Sequence, residues 1–318
     1  MATTALKSRP FAFVALPAMA AVAIAAVGIG IGPHALGRPT AAPIHELFDF
    51  MSINSMVLLG AVSGAAAGLL AGLIGIGGGI VVVPIVYYGL VASGMSPDSA
   101  AHVAVGTSLA AILPTALVSS FGHWRAGHTD INFLRVWGPG IVIGVVAAQL
   151  AAPHLRGSLM TGIFGLLSLV FAARFAFPGQ FRQVTERPPK GTFLNIASVS
   201  IGLFSGLAGV GGGIMTNIVM SLSGMSMHKC IGRAAAVGVV VSVPATIIAA
   251  FSPGPHGPAQ LGSIDLTMLA CIAPTQAAAA WLGTRLARHI AGDNLSRVLA
   301  GALLATGTVM LRSSLCGG

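Results

Sequence analysis

Apolar residues run along this chain in long blocks, and polar residues gather in the short stretches between them. The blocks fall near 11–32, 53–91, 103–121, 133–152, 158–177, 192–224, 234–251, 266–284 and 296–311. A helix needs about 20 apolar residues to cross the hydrocarbon of a bilayer, and most of these blocks have that length. A transmembrane barrel would instead alternate apolar and polar positions over about ten residues, which no block does. The pattern therefore predicts an all-α polytopic membrane protein. The intervening stretches PDSAAH, HWRAGHTDIN, PGQFRQVTERPPKG and SPGPHGPAQLGSID concentrate Pro, Gly, His and charge, as loops do.

Two blocks, 53–91 and 192–224, are too long for one ordinary span. Either each is a single long tilted helix, or each breaks and turns back. Both contain a glycine run, IGIGGGI at 74–80 and AGVGGGI at 208–214. Charge separates the readings, because Lys and Arg accumulate on the cytoplasmic side. With single crossings and the N-terminus inside, the 16 basic residues divide eight to eight. If both blocks return, only Arg38, Arg156 and Arg312 fall outside, against thirteen inside. The returning arrangement is the expected one. The limb after the first glycine run is short, about 12 residues or ~18 Å, so its depth stays open.

The halves resemble each other. AVGTS at 104–108 matches AVGVV at 236–240, GHTD at 127–130 matches GSID at 262–265, and Pro139 matches Pro274. With the returning blocks, each half begins and ends on opposite sides, so the expectation is two inverted repeats. Each comprises a glycine-broken helical hairpin and three spanning helices. The expected organisation is an N-terminal helix and connecting loop over 1–52, repeat one over 53–177, a basic cytoplasmic linker over 178–191 and repeat two over 192–318. Lys7 and Arg9 precede the first apolar run, which is either a retained helix or a cleaved signal; its length favours retention.

Composition agrees. Of 318 residues, 55% are hydrophobic and 7% charged, too few charges to cover a soluble domain. Mean hydropathy is +0.90. The net charge of +9 comes from single basic residues between blocks, which is membrane topology rather than a nucleic-acid surface. The three cysteines, Cys230, Cys271 and Cys316, have no paired spacing and read as apolar filling. No clustered nucleophiles or metal ligands occur within the blocks, so neither an enzyme nor a metal or cofactor site is expected.

The glycines divide into two sets. Gly60, Gly64, Gly68 and Gly72, with Ser198, Gly202 and Gly206 in the second half, form four-residue stripes that suit close helix packing. The triplets Gly77, Gly78, Gly79 and Gly211, Gly212, Gly213 spread around a helix and free the backbone to leave it. A helix restarting after such a break aims amide N–H groups and its positive dipole end at whatever lies before it. That suits an anion. Nearby polar residues are Thr107 and Ser108 in the following helix, and Thr216 and Asn217 beyond the second triplet. Gln149 and Gln276 read as interhelix hydrogen bonders, and His102 as a polar helix edge. The acids Glu46, Asp49, Asp98, Asp130, Glu186, Asp265 and Asp293 all fall in loops or at span ends. A buried carboxylate proton relay is therefore not expected. The candidate substrate-binding set is Gly77, Gly78, Gly79, Thr107, Ser108, Gly211, Gly212, Gly213 and Asn217.

The strings GLLAGLIGIGGGIVVVPIV (68–86), AVGTSLAAI (104–112), RAGHTD (125–130) and GLFSGLAGVGGG (202–213) resemble the sulfite exporter TauE/SafE family, the TSUP transporters. The resemblance covers roughly 53–312. It implies a multi-pass transporter, an exporter of small sulfur-containing anions such as sulfite, sulfoacetate or related sulfonates, with the glycine motifs lining the path. The implied partners are a small anionic substrate and the cell membrane, with the N-terminus cytoplasmic. The second half departs from the pattern: it lacks a proline after its triplet and has VGVV in place of VGTS. A transporter of another small anion or metabolite, or a non-transporting membrane scaffold, are the alternatives.

Overall fold

The structure, a computed structural model, describes residues 53–75, 77–176, 191–223, 225, 227–254, 259–286 and 292–316. The expected helix over 11–32 lies outside the described residues, as does the 178–191 linker except Gly191. Among the described residues the chain forms ten α-helices: α1 (Ile53–Ile74), α2 (Gly79–Ala92), α3 (Pro97–Arg125), α4 (Ile131–Ala151), α5 (Gly157–Ala176), α6 (Gly191–Ala208), α7 (Gly213–Leu222), α8 (Met227–Phe251), α9 (Leu266–Leu286) and α10 (Gly292–Cys316). A 3₁₀ turn (Ala152–His154) follows α4, and a two-stranded hairpin, β1 (Gln260–Leu261) and β2 (Ile264–Asp265), precedes α9. Six of the helices are long and apolar enough to cross a membrane. Their outward faces carry large apolar side chains such as Ile143, Leu150, Phe193 and Phe251, which a lipid environment accommodates. The chain is an all-α polytopic membrane protein. The hairpin is the one element the loop composition of 252–265 did not predict.

Both long blocks break at their glycines. α2 has 14 residues and α7 has 10, about 21 and 15 Å long at helical rise, so each covers only part of a bilayer. Contacts fix the directions. Added Cβ atoms at Gly60, Gly64, Gly68 and Gly72 of α1 would meet, in order, Cys271, Thr275, Gln276 and Ala280 of α9, so the two helices run parallel. α3 also runs parallel to α9, since Thr107 meets Asp265 and Gly122 meets Thr284. With α1 and α3 parallel, the intervening α2 runs back between them. A Cβ added to Gly78, just beyond the break, would lie 2.9 Å from Ala67 O, level with α1 two turns before its end.

The second half repeats this with a different partner. Gly140 and Gly144 of α4 seat against Ser198 and Val199 of α6, and Gly202 and Gly206 of α6 against Ile141 and Ala148 of α4. α4 and α6 are therefore parallel, and α7 returns toward the start of α8. Thus α1 packs on α9 and α6 on α4, each helix of one half against the fourth element of the other. α5 and α10 pack antiparallel through Gly162 with Ser314 and Gly165 with Leu311. Small residues let these backbones approach within reach of each other's carbonyls, which is how helices associate where no hydrophobic force drives them.

The two ends of the bundle differ in charge. Arg125, Arg174, Arg233 and Arg285 gather at the end where α3, α5 and α9 finish and α8 begins. There Arg125, Arg233 and Arg285 lie over the rings of Phe121, Phe133 and Trp281, 4.7, 4.8 and 3.6 Å from their centroids. The end that carries the β-hairpin has Arg156 and Arg312.

Candidate functional site

The two breaks have one backbone conformation. Gly75, Gly77 and Gly78 have φ of 72°, 88° and 77°; Gly209, Gly211 and Gly212 have 70°, 76° and 75°. The spacing between matching residues is the same at all three positions. Left-handed φ is costly for any residue with a Cβ, so glycine is needed here for conformation as well as space. Gly78 and Gly212 are the residues immediately before α2 and α7, and neither supplies a side-chain cap. The first amides of both helices are thus left to other partners.

The breaks meet. A Cβ on Gly77 would lie 3.4 Å from Val210 O and 3.8 Å from Gly211 Cα, and one on Gly79 would collide with Gly209 O. Ile112 of α3, fully buried, wedges between them: its side chain is 3.5 Å from such a Cβ on Gly77 and 3.1 Å from one on Gly211. Sequence reasoning missed Ile112, because an isoleucine in an apolar helix carries no signal of its position.

Polar side chains hold the carbonyls that the breaks release. Gln276 Nε2 donates to Gly77 O at 3.2 Å, and Gln149 Nε2 to Gly206 O at 3.0 Å. The Ser108 hydroxyl donates to Gly209 O at 2.8 Å, and Ser119 Oγ adds a longer bond at 3.4 Å to Ala71 O, which already accepts the Gly75 N–H. Gln149 and Gln276 therefore do bridge helices, each at the end of a glycine stripe. Three buried polar atoms near the breaks have no protein partner: Gln276 Oε1, Thr216 Oγ1 and Asn217 Nδ2. Leaving such groups unsatisfied costs about 1–3 kcal/mol each, which makes them candidates for contact with a ligand.

The candidate residues do not all converge. Gly77, Gly78 and Gly79 and Gly211, Gly212 and Gly213 form the two breaks, and Ser108 binds the second. Thr107, one residue away, turns elsewhere: its Oγ1 accepts the Asp265 N–H at 2.9 Å. Asn217 is buried on α7, in the second turn after its break. His102 is a clamp far from the breaks; its Nε2 lies 3.0 Å from Ala152 O and 3.1 Å from Leu155 O. Of the acids, Asp130 and Asp265 accept amide N–H groups at the starts of α4 and α9, from Asn132 at 2.9 Å and Met268 at 2.8 Å. A crevice too narrow to hold a water borders the first break, lined by Gly75, Gly77, Thr115, Ser119, Ala235 and Gly238 among others.

The profile of the family described as "Sulfite exporter TauE/SafE" matches residues 60–310. The chain belongs to the sulfite exporter TauE/SafE family. Its curated relatives include a "Probable membrane transporter protein" of Haemophilus influenzae, 30% identical over 189 residues, covering 59% of this chain and 72% of the relative. One from Methanocaldococcus jannaschii is 27% identical over 205 residues, covering 61% and 70%. The "Probable membrane transporter protein YunE" of Bacillus subtilis is 32% identical over 191 residues, covering 54% and 68%. No solved structure matches the chain. For this TauE/SafE member, family and fold agree on a multi-pass membrane transporter, and both glycine runs lie within the matched residues.

Proposed function

We propose that this TauE/SafE member carries a small sulfur-containing anion, such as sulfite, sulfoacetate or a related sulfonate, across the cell membrane. The observation that carries this reading is the meeting of the two breaks, with the starts of α2 and α7 beside them. Two uncapped helix N-termini supply amide donors and positive dipole ends, and no carboxylate of the described residues stands among them. Gly77–Gly79, Gly211–Gly213, Ser108 and Asn217 line the path. Half-helices whose N-termini face an anionic substrate near the midplane are a recurring transporter design.

In this reading 53–177 and 192–318 are inverted repeats that rock about the breaks to give alternating access. The arginine-rich end is cytoplasmic, the hairpin end is outside, and the N-terminus is inside. The protein moves its substrate without chemical change, so it is no enzyme.

A thermal-shift panel in detergent tests the substrate class. Sulfite, sulfoacetate, thiosulfate, sulfate, acetate and a neutral sulfone are each titrated. A ligand at a hundred times its Kd stabilises the folded state by about 2.7 kcal/mol, a rise of several degrees. The reading predicts that rise for at least one sulfur oxyanion and none for the sulfone. A response to the sulfone alone, or to none of the sulfur oxyanions, contradicts it.

A further inference from the structure

α3 and α8 carry matching glycines, Gly106 in AVGTS and Gly238 in AVGVV, in unlike surroundings. Gly238 borders the narrow space beneath the first break. A Cβ there would meet only Ala116 at 3.1 Å and Gly211 O at 3.8 Å. The place beside Gly106 is filled, because the Ser263 carbonyl oxygen lies against it and the Ser263 hydroxyl is 2.6 Å from an added Cβ.

Ser263 sits in the β-hairpin, whose GSID matches GHTD of the loop at the opposite end. Asp265 and Asp130 play the same role in both, accepting amide N–H groups at the start of the next helix. The loops reach different depths. His128, the match of Ser263, rests on Gly232, six residues short of Gly238. The hairpin therefore penetrates about 9 Å further along its facing helix and ends one residue from Thr107 and two from Ser108, which bonds the second break.

The hairpin's hydrogen bonds go mainly to its own half, while β2 itself packs closely on α3. The Ser263 N–H and hydroxyl both donate to Ala249 O, at 2.9 and 3.2 Å, and the Leu266 N–H to Ala259 O at 2.8 Å. Ile264 packs on Ala249 and Ala110. Its hydrogen bond to α3 is the one from Asp265 N–H to Thr107 Oγ1. The residue matching Thr107 on α8 is Val239, which can make no such bond. A glycine slot, a seated carbonyl and a single polar tie describe a part that can leave.

We infer that the hairpin at 260–265 is a withdrawable plug that closes one end of the path at Gly106, with Thr107 as its latch rather than a substrate ligand. The inference rests on reading the breaks as the substrate path. In a protein whose Cys230, Cys271 and Cys316 are replaced by alanine, Ser263→Cys reports the plug through its rate of alkylation by a membrane-impermeant maleimide. Thr107→Val speeds alkylation about five-fold, the worth of one hydrogen bond, and Thr107→Ser returns the unmodified rate. A second variant, Ala110→Cys with Ile264→Cys, forms a disulfide on oxidation that stops sulfite flux in liposomes until it is reduced. An alkylation rate unchanged by Thr107→Val, or full flux with the disulfide formed, overturns the inference. Alkylation needs no substrate, so a plug that opens in a protein that moves no sulfur anion sinks the substrate reading and leaves the plug standing.

Discussion

At the first break the chain leaves α1 through Gly75, Gly77 and Gly78 and enters a helix that stays apolar for two turns. At the second it leaves α6 through Gly209, Gly211 and Gly212, with the same φ values, and meets Thr216 and Asn217 within two turns. The two breaks share a backbone whose conformation only glycine supports cheaply, while the side chains that follow them differ. The carbonyls are held differently too. Gln276 reaches Gly77, whereas the second break is held by Gln149 one turn earlier and by Ser108 from the first half. Equal backbones with unequal polar groups leave the proposed path with two like helix ends and one polar wall.

The largest expected effect separates the breaks by space. Gly78→Ala forces a Cβ at φ 77° against the Gln276 amide and 2.9 Å from Ala67 O, and that backbone oxygen cannot give way. The nearest neighbours of a Cβ at Gly212 are side-chain atoms, Val237 and Val241 methyl groups at 3.0 Å and Ser205 Oγ at 3.3 Å. Left-handed strain and overpacking together put Gly78→Ala at about 3 kcal/mol or more and Gly212→Ala at about 2 kcal/mol. Melting temperature with transport reads both; equal losses break the comparison.

Next come the glutamines. Gln149→Leu and Gln276→Leu each leave a buried carbonyl without its donor, at about 1–3 kcal/mol. Gln276→Leu also removes an unpartnered oxygen, so its net loss of stability is the smaller, while its loss of anion binding is the larger. Chemical denaturation and ligand titration of the pair check the crossing order.

Asn217→Leu is expected to raise stability by up to about 1 kcal/mol, because it deletes a buried amide nitrogen with no partner. It weakens anion binding at the same time. A variant both less stable and unchanged in binding removes Asn217 from the path. The smallest effect belongs to Pro84→Ile, which installs the residue that the second half carries as Ile218. It restores an amide N–H within α2, and with the fold already built around the proline the expected change is under about 1 kcal/mol either way.

Much of this was legible from residue order because membrane constraints are severe. Block length, the basic-residue split and the repeat of IGIGGGI as AGVGGGI were enough to predict returning limbs at both glycine runs, and the directions of α1, α2 and α3 agree with that. The stripe at Gly60, Gly64, Gly68 and Gly72 announced a close helix contact, though not that α9 would fill it. The site was legible only in part. Glycine at left-handed φ has a signature, but Ile112 between the breaks is one apolar residue among many. Thr107 and Ser108 are adjacent in sequence and about 100° apart on their helix, so one reaches Gly209 and the other the hairpin. Periodicity could show that they diverge but not what each would meet. The hairpin itself hid in SPGPHGPAQLGSID, whose turn residues mask two short strands.

The central claim is that the paired breaks form an anion path. Purified protein in liposomes, given an inward sulfite gradient with the membrane potential clamped, tests it most directly. The account predicts saturable sulfite flux that other sulfur oxyanions compete with and Gly78→Ala abolishes, while Leu166→Ala on the exposed face of α5 leaves it intact. Flux of sulfite that survives Gly78→Ala in folded protein, or no flux of any sulfur oxyanion by the unmodified chain, contradicts it.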